Sequence, residues 1–151
     1  LNEKHVITYN MITDYWKDTG TPEDIIHANK TILENLTSEF KGQKESTVSL
    51  EGNVSVGNDT LIKGKVKIKG PVIIGNNCII SGGIIGPNTS IGNNCIISGG
   101  IIEDSIIMEN CEIEKNVNLK NSIISSNSSI KQNSAQNEQI FLLGEGTKLI
   151  F

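Results

Sequence analysis

The chain has 151 residues, a formal net charge of -4, three cysteines and only 4% aromatic residues. No basic field invites nucleic acid or an anionic membrane surface, and no window approaches the ~18 uninterrupted apolar residues of a membrane-spanning helix. The N-terminus lacks a basic-then-apolar leader pattern, and an odd cysteine count without paired short spacings argues against a disulfide framework, so the expected compartment is the cytoplasm.

From the N-terminus, HVITYNMI (residues 5–12) alternates loosely and predicts a strand that runs into a turn at Asp14. The turn carries Trp16-Lys17-Asp18-Thr19-Gly20 and leads to a helix start with several agreeing signals. Thr21 can cap, Pro22 suits the first helical position, and Glu23 and Asp24 favour the positive end of the helix dipole. Ile25, Ile26, Ala28, Ile32, Leu33 and Leu36 recur at helical spacing, so a helix is expected from Pro22 to about Leu36. Residues 38–47 (SEFKGQKEST) read as a polar linker. Taken alone, the Asp-Thr-Gly turn fits a side chain that organises a turn, with Trp16 as a packing anchor.

The second half is repetitive. IGNNCIISGGII occurs at 74–85 and again at 91–102. Short units open on Leu50, Val56, Ile62, Ile68, Ile74, Ile80, Ile85, Ile91, Ile97, Ile102, Ile107, Ile113, Leu119, Ile124 and Ile130. The step is six residues, relaxed to five after Ile80, Ile97, Ile102 and Leu119. Four residues after each opener comes a small, β-branched or thiol side chain: Val54, Thr60, Val66, Val72, Cys78, Ile84, Thr89, Cys95, Ile101, Ile106, Cys111, Val117, Ile123 and Ser128. A helical period of 3.6 does not divide into these steps. Three such units make one triangular coil of about 18 residues, and residues 48–134 then give roughly five coils. Thin stacked layers explain both the monotony of Ile and the scarcity of rings. Gly and Asn at the corners suit left-handed backbone conformations.

Cys78, Cys95 and Cys111 share one position of the unit, so they are expected to stack as a buried ladder rather than to bind metal, which would need further ligands such as His. SSNSSIKQNSAQN (residues 125–137) reads as a last corner plus a loop. QIFLLGEGTKLIF (residues 139–151) predicts two short strands around Gly144-Glu145-Gly146, serving as a C-terminal cap or an oligomer contact.

The repeats resemble the left-handed parallel β-helix of the hexapeptide-repeat family. W-K-D-T-G-T-P-E-D-I-I-x-A-N before them resembles the end of the catalytic domain of sugar-1-phosphate nucleotidyltransferases. The similarity runs on through GPVIIGNNC, IIGPNTSIGNNC, SIIMENCEI and the closing LLGEGTKLIF. It is nearest to the glucose-1-phosphate thymidylyltransferases in their longer form with a C-terminal β-helix. That resemblance implies a mainly β chain divided at 1–37 (the incomplete end of a catalytic domain), 38–47 (linker), 48–134 (left-handed β-helix) and 135–151 (C-terminal strand cap). It implies a parent reaction of dTTP with glucose 1-phosphate to give dTDP-glucose and pyrophosphate, with Mg²⁺ held between two acids. By the same resemblance Asp18 is one of those acids, and Trp16 and Gly20 belong to the nucleotide-sugar pocket. Relatives usually have Gly where this chain has Asp14.

No phosphate loop of the GxGTRLxP kind, no base-reading strand and no first acid occur in the 151 residues. One carboxylate cannot position Mg²⁺ and a triphosphate. The expectation is therefore that no complete catalytic site is present and that the chain alone is inactive, whether it is a piece of a longer enzyme or a shortened gene product. Its own residues are expected to serve oligomerisation or regulation, through β-helix faces that expose Ile73, Ile79 and Ile96 and through the C-terminal strands. Two alternatives stand beside this. A guanylyl- or adenylyl-transferring relative shares the architecture. A hexapeptide-repeat acyltransferase needs a His base, and the only histidines, His5 and His27, lie outside the repeats. The helix from Pro22 is expected to dock on the β-helix, dock on a second subunit, or fray.

Overall fold

A computed structural model describes residues 8–11, 13, 16–114, 117–131 and 141–150, with residues 149 and 150 as backbone alone. One helix is followed by short parallel strands that wind into a three-faced β-solenoid of about six turns. The first face is a 7-stranded sheet: Glu39–Phe40, Val54–Val56, Val72–Ile74, Thr89–Ile91, Ile106–Ile107, Ile123–Ile124 and Leu142–Leu143. The second stacks Gln43–Lys44, the start of Leu61–Lys69, the start of Ile79–Ile85, Ile96–Ile97, Glu112–Ile113, Ser129–Lys131 and Lys148–Ile150. The third stacks Ser49–Glu51, the ends of those same two long strands, Ile101–Glu103 and Asn118–Lys120. Every pairing is parallel, and each strand lies on its equivalent one coil away.

The interior is a set of columns. Ile62, Ile80, Ile97, Ile113 and Ile130 stack down the second face and are all fully buried. Full burial of one such side chain stabilises by about 1.5–3 kcal/mol. Five other inward residues form a column of donors. Thr60 Oγ1 donates to the carbonyl of Gly75 (2.7 Å), Cys78 Sγ to Gly92 (3.1 Å), Cys95 Sγ to Met108 (3.1 Å), Cys111 Sγ to Ser125 (3.2 Å) and Ser128 Oγ to Gly144 (3.3 Å). The cysteines are free and buried, and the thiols do the work of hydroxyls. Cys95, flanked by the Cys111 and Cys78 thiols and desolvated, has its pKa pushed up.

Left-handed residues hold the corners. Asp59, Asn77, Asn94, Asn110 and Asn127 all have positive φ immediately before the donor column. Their short side chains tolerate that conformation, and the amides bridge coils, as Asn94 Nδ2 does to Asn110 Oδ1 at 3.0 Å.

The five-residue steps change one expectation. Counting forward from each opener puts Ile84, Ile101, Ile106 and Ile123 in the compact inward position. In the structure these side chains point outward, and the inward places fall to Gly83, Gly100, Ser105 and Ser122. The shorter step drops a residue before the compact position, so that position is always two residues ahead of the next opener. At Gly83 the register with Val66 shifts by one, and Gly100, at φ +87, lies so close to the Val117 carbonyl that a Cβ would clash with backbone.

The solenoid also extends past both expected ends. Residues 38–47 are more than a linker: Glu39–Phe40 and Gln43–Lys44 already pair in parallel with the next coil. Apart from Phe40 their side chains are polar and all four residues are exposed, which hid the coil from an apolar pattern. At the other end Leu142–Leu143 and Lys148–Ile150 continue the first and second faces as further parallel strands, while the loop read at 132–137 lies outside the described residues. Of the strand expected at 5–12, Thr8–Met11 are described and form none, with Tyr9 and Met11 exposed. A strand needs a paired edge, and among the described residues no strand pairs with Thr8–Met11. We expect Gly100→Ala to destabilise by about 3 kcal/mol or more, from strain plus a backbone clash. Gly144→Ala, where a Cβ meets nothing within 4 Å, should stay within about 1 kcal/mol of the parent chain in urea unfolding.

Candidate functional site

Helix α1 spans Pro22–Glu34. Thr21 caps it: the Asp24 amide donates to Thr21 Oγ1 at 3.2 Å, and that hydroxyl donates to Asp24 Oδ2 at 2.7 Å. Lys17 closes the other side of the same carboxylate at 3.0 Å. The Thr21 hydroxyl and Lys17 hold the Asp24 carboxyl below the usual carboxylate range. The turn at 16–20 is thus tied to the first turn of α1.

The helix lies on the first face of the solenoid. Ile26 and Leu33 are its buried residues. Between them, on the same stripe, sit Asn29 and Lys30, so polar groups hold the centre of the contact. Asn29 accepts from Ser90 Oγ (2.6 Å) and donates to the Asn88 carbonyl (3.2 Å). Lys30 pairs with Asp104 at 2.9 Å, and Asn88 Nδ2 donates to the same carboxylate at 2.9 Å. Burial works to raise the Asp104 pKa, but the bonds from Lys30 and Asn88 outweigh it and hold the carboxyl below its ordinary range. Of the three fates open to this helix, docking on the β-solenoid is the one observed.

Two hollows flank α1. One, of about 360 Å³, lies between the helix and the solenoid and is lined by Pro22, Glu23, Ile26, His27, Lys30, Asn121 and Leu142. The other, of about 490 Å³, lies on the far side and is lined by Trp16, Lys17, Ala28, Thr31, Ile32 and Asn35. The apolar stripe expected from Ile25 to Leu36 is therefore split. Ile26 and Leu33 face the solenoid, while Ile32 is 73% and Trp16 69% exposed on the other side.

The structure brings Trp16 to the outer side of α1 and leaves Asp18 exposed. The Asp18 carboxylate lies on the side of Gly20 where a side chain would project, 3.9 Å from the position a Cβ would take. Asp14 falls outside the described residues. Among the described residues, no group of three or more His, Cys, Asp or Glu is placed to hold a metal ion. Mg²⁺ takes a near-octahedral oxygen shell built on carboxylates and phosphates, and one exposed carboxylate does not fit that demand. His27 is exposed on the helix, at the rim of the hollow it shares with Asn121 and Leu142; His5 lies outside the described residues. No helix among the described residues is long and apolar enough to cross a membrane.

The geometry defines a hexapeptide-type parallel β-solenoid with one helix clamped on its first face. Residues 69–149, more than half of the chain, match the family described as GMPPB C-terminal domain. The chain belongs to that family, a C-terminal domain of nucleotidyltransferases. A glucose-1-phosphate thymidylyltransferase of Streptomyces antibioticus is 36% identical over 81 residues, 54% of this chain and 22% of that protein. The bifunctional protein GlmU of Methanococcus maripaludis is 41% identical over 49 residues, 32% of this chain and 12% of that protein. The low-salt glycan biosynthesis nucleotidyltransferase Agl11 of Haloferax volcanii is 30% identical over 56 residues, 37% of this chain and 16% of that protein. The chain thus spans less than a quarter of the length of each of these relatives.

The Asn29–Ser90 and Lys30–Asp104 contacts escaped the sequence reading. Their one signal is the polar pair Asn29-Lys30 between Ile26 and Leu33, where a core-facing stripe would carry apolar residues. A folded carboxyl with a depressed pKa contributes stability above its unfolded value, about 4, and loses it as pH falls through the depressed value. Protection of the α1 amides, measured against their intrinsic exchange rates at each pH, should therefore fall below about pH 4. Asp104→Asn should loosen the helix by about 1 kcal/mol at neutral pH and lessen that acid dependence, leaving the share due to Asp24.

Proposed function

We propose that these residues form the C-terminal β-helix portion of a glucose-1-phosphate thymidylyltransferase-like enzyme. The parent reaction joins dTTP to glucose 1-phosphate, giving dTDP-glucose and pyrophosphate with Mg²⁺, in the cytoplasm. The observation that carries the reading is the 36% identity over 81 residues to a thymidylyltransferase. The W-K-D-T-G-T-P-E-D turn and its capped helix support it from outside residues 69–149.

On this reading Asp18 belongs to the parent enzyme's Mg²⁺ site, and Trp16 and Gly20 to its nucleotide-sugar pocket. The 151 residues alone perform no transfer, because one carboxylate on an exposed turn cannot stabilise a triphosphate and its leaving group together. What they do themselves is assemble subunits: flat faces expose Ile79 and Ile96 at 38% and 42%, and apolar groups on a flat surface favour self-association. A guanylyl- or adenylyl-transferring parent is the second reading, since the base-reading residues are not among those present. Acyl transfer is disfavoured by the lack of any His between residues 48 and 134.

Three measurements test this. Pyrophosphate release from dTTP and glucose 1-phosphate should be absent with the 151-residue chain, and turnover would overturn the reading of Asp18 as half a site. Any longer polypeptide read from the gene should release pyrophosphate with dTTP in preference to GTP or ATP; the reverse preference would replace thymidylyl by guanylyl or adenylyl transfer. The solution mass should rise with concentration, and a monomer throughout would remove the assembly role.

A further inference from the structure

The second face presents two outward columns. One runs Gln43, Leu61, Ile79, Ile96, Glu112, Ser129, Lys148. The other lies two residues further along each strand: Glu45, Lys63, Ser81, Ser98, Glu114, Lys131. Along the solenoid axis this second column reads acid, base, neutral, neutral, acid, base. Turned end for end, every charge meets its opposite: Glu45 faces Lys131, Lys63 faces Glu114, and Ser81 faces Ser98. The same reversal sets Ile79 on Ile96 and Gln43 on Ser129. Leu61 then meets a charged residue, Glu112, with Lys63 on that same strand, and Lys148 on the seventh strand overhangs beyond the partner's first coil.

A two-fold interface must be self-complementary, because one patch serves both partners. A sign pattern that inverts on reversal satisfies this for an axis lying along the strands, midway between the coils of Ile79 and Ile96. An axis parallel to the solenoid fails. It keeps the coils level and sets Glu112 of one copy against Glu114 of the other, twice, and like charges in contact are costly. The bonds these groups make within the chain are exposed and exchangeable: Lys131 to Glu114 at 2.7 Å, and the Gly64 amide to Glu45 at 2.8 Å. Exposed pairs of this kind hold their partners only weakly.

We propose that the second face pairs with the same face of a second copy about an antiparallel two-fold axis. Ile79 and Ile96 form its centre, and Lys63–Glu114 contacts flank it on both sides. This rests on the assembly role proposed above and names the surface that serves it. Six strands at ~4.8 Å spacing and about three to four residues wide cover roughly 300–400 Å² per copy. That is below the size of standard stable interfaces, about 800 Å² per partner. The dimer is accordingly weak and reversible in the 151-residue chain.

Sedimentation equilibrium from about 10 μM to 1 mM covers the affinities such an area supports. The expected result is a monomer–dimer equilibrium that weakens with added salt. Lys63→Glu, which leaves the Glu114–Lys131 bond untouched, creates two like-charge contacts per dimer and should weaken association about tenfold. Glu114→Lys should do the same. The combined variant restores opposite charges across the axis and should return to within about threefold of the parent chain. All sites are on the surface, and circular dichroism checks that each variant keeps the fold. Single variants that associate like the parent, or a combined variant weaker than either single one, would overturn this surface while leaving assembly through another face intact. A parent chain that stays monomeric over the whole range would overturn both the surface and the assembly role.

Discussion

Everything in this chain depends on parallel, in-register stacking at the coil repeat. Each residue lies on its own equivalents above and below, about 4.8 Å away. Side chains therefore succeed as columns, and a column tolerates only residues of one size and one bonding habit. Ile62, Ile80, Ile97, Ile113 and Ile130 satisfy this by identity. Thr60, Cys78, Cys95, Cys111 and Ser128 satisfy it by chemistry, since each offers one X–H group to a carbonyl of the next coil. Three cysteines in a row are explained by that geometry, without redox or metal chemistry.

The same constraint decides how much of the fold was readable. The openers from Leu50 to Ile130 mark columns of high contrast, so the period and the faces were legible. Ile84, Ile101, Ile106 and Ile123 were misplaced because a five-residue step removes a corner residue, and counting from the front of the unit cannot tell which one. Counting back from the next opener can, since the compact residue feeds directly into the strand. The coil at 39–44 was illegible for a different reason. Its stability comes from backbone bonds such as Lys41 N to the Val56 carbonyl and Gln43 N to the Thr60 carbonyl, at 2.9 and 2.8 Å, and such bonds leave no side-chain signature.

Around the helix, legibility divides along similar lines. The cap was written locally, in Thr21, Pro22 and Asp24, and local signals read well. Which face docks was not, because Ile25, Ile26, Ile32 and Leu33 give two candidate stripes about a quarter-turn apart. The choice is made by Ser90, Asn88 and Asp104, some sixty or more residues away in the chain. Asp18 shows the same limit from the other direction: its turn is recognisable, yet a metal site needs carboxylates from distant segments, and the described residues bring no three such ligands together.

Where a column breaks its own rule, then, is where a solenoid carries anything beyond stability. On the outer side of the first face, Ile73 and Ile106 bracket Ser90. A third Ile there would present a continuous greasy ridge to any helix, with no preference for one position along it. Ser90 interrupts the ridge, and Asn29 engages it with two of its polar atoms accounted for by Ser90 and Asn88. Asp104 does the same in a corner column otherwise held by Asn88 and Asn121, and its charge selects Lys30. A repeat supplies strength without address; the substitution that departs from the repeat supplies the address. The second face follows the same logic, since its outer column changes from Ile79 and Ile96 to Glu112 within one coil. A homogeneous column would permit sliding contacts at every register, whereas a column with ordered departures permits one.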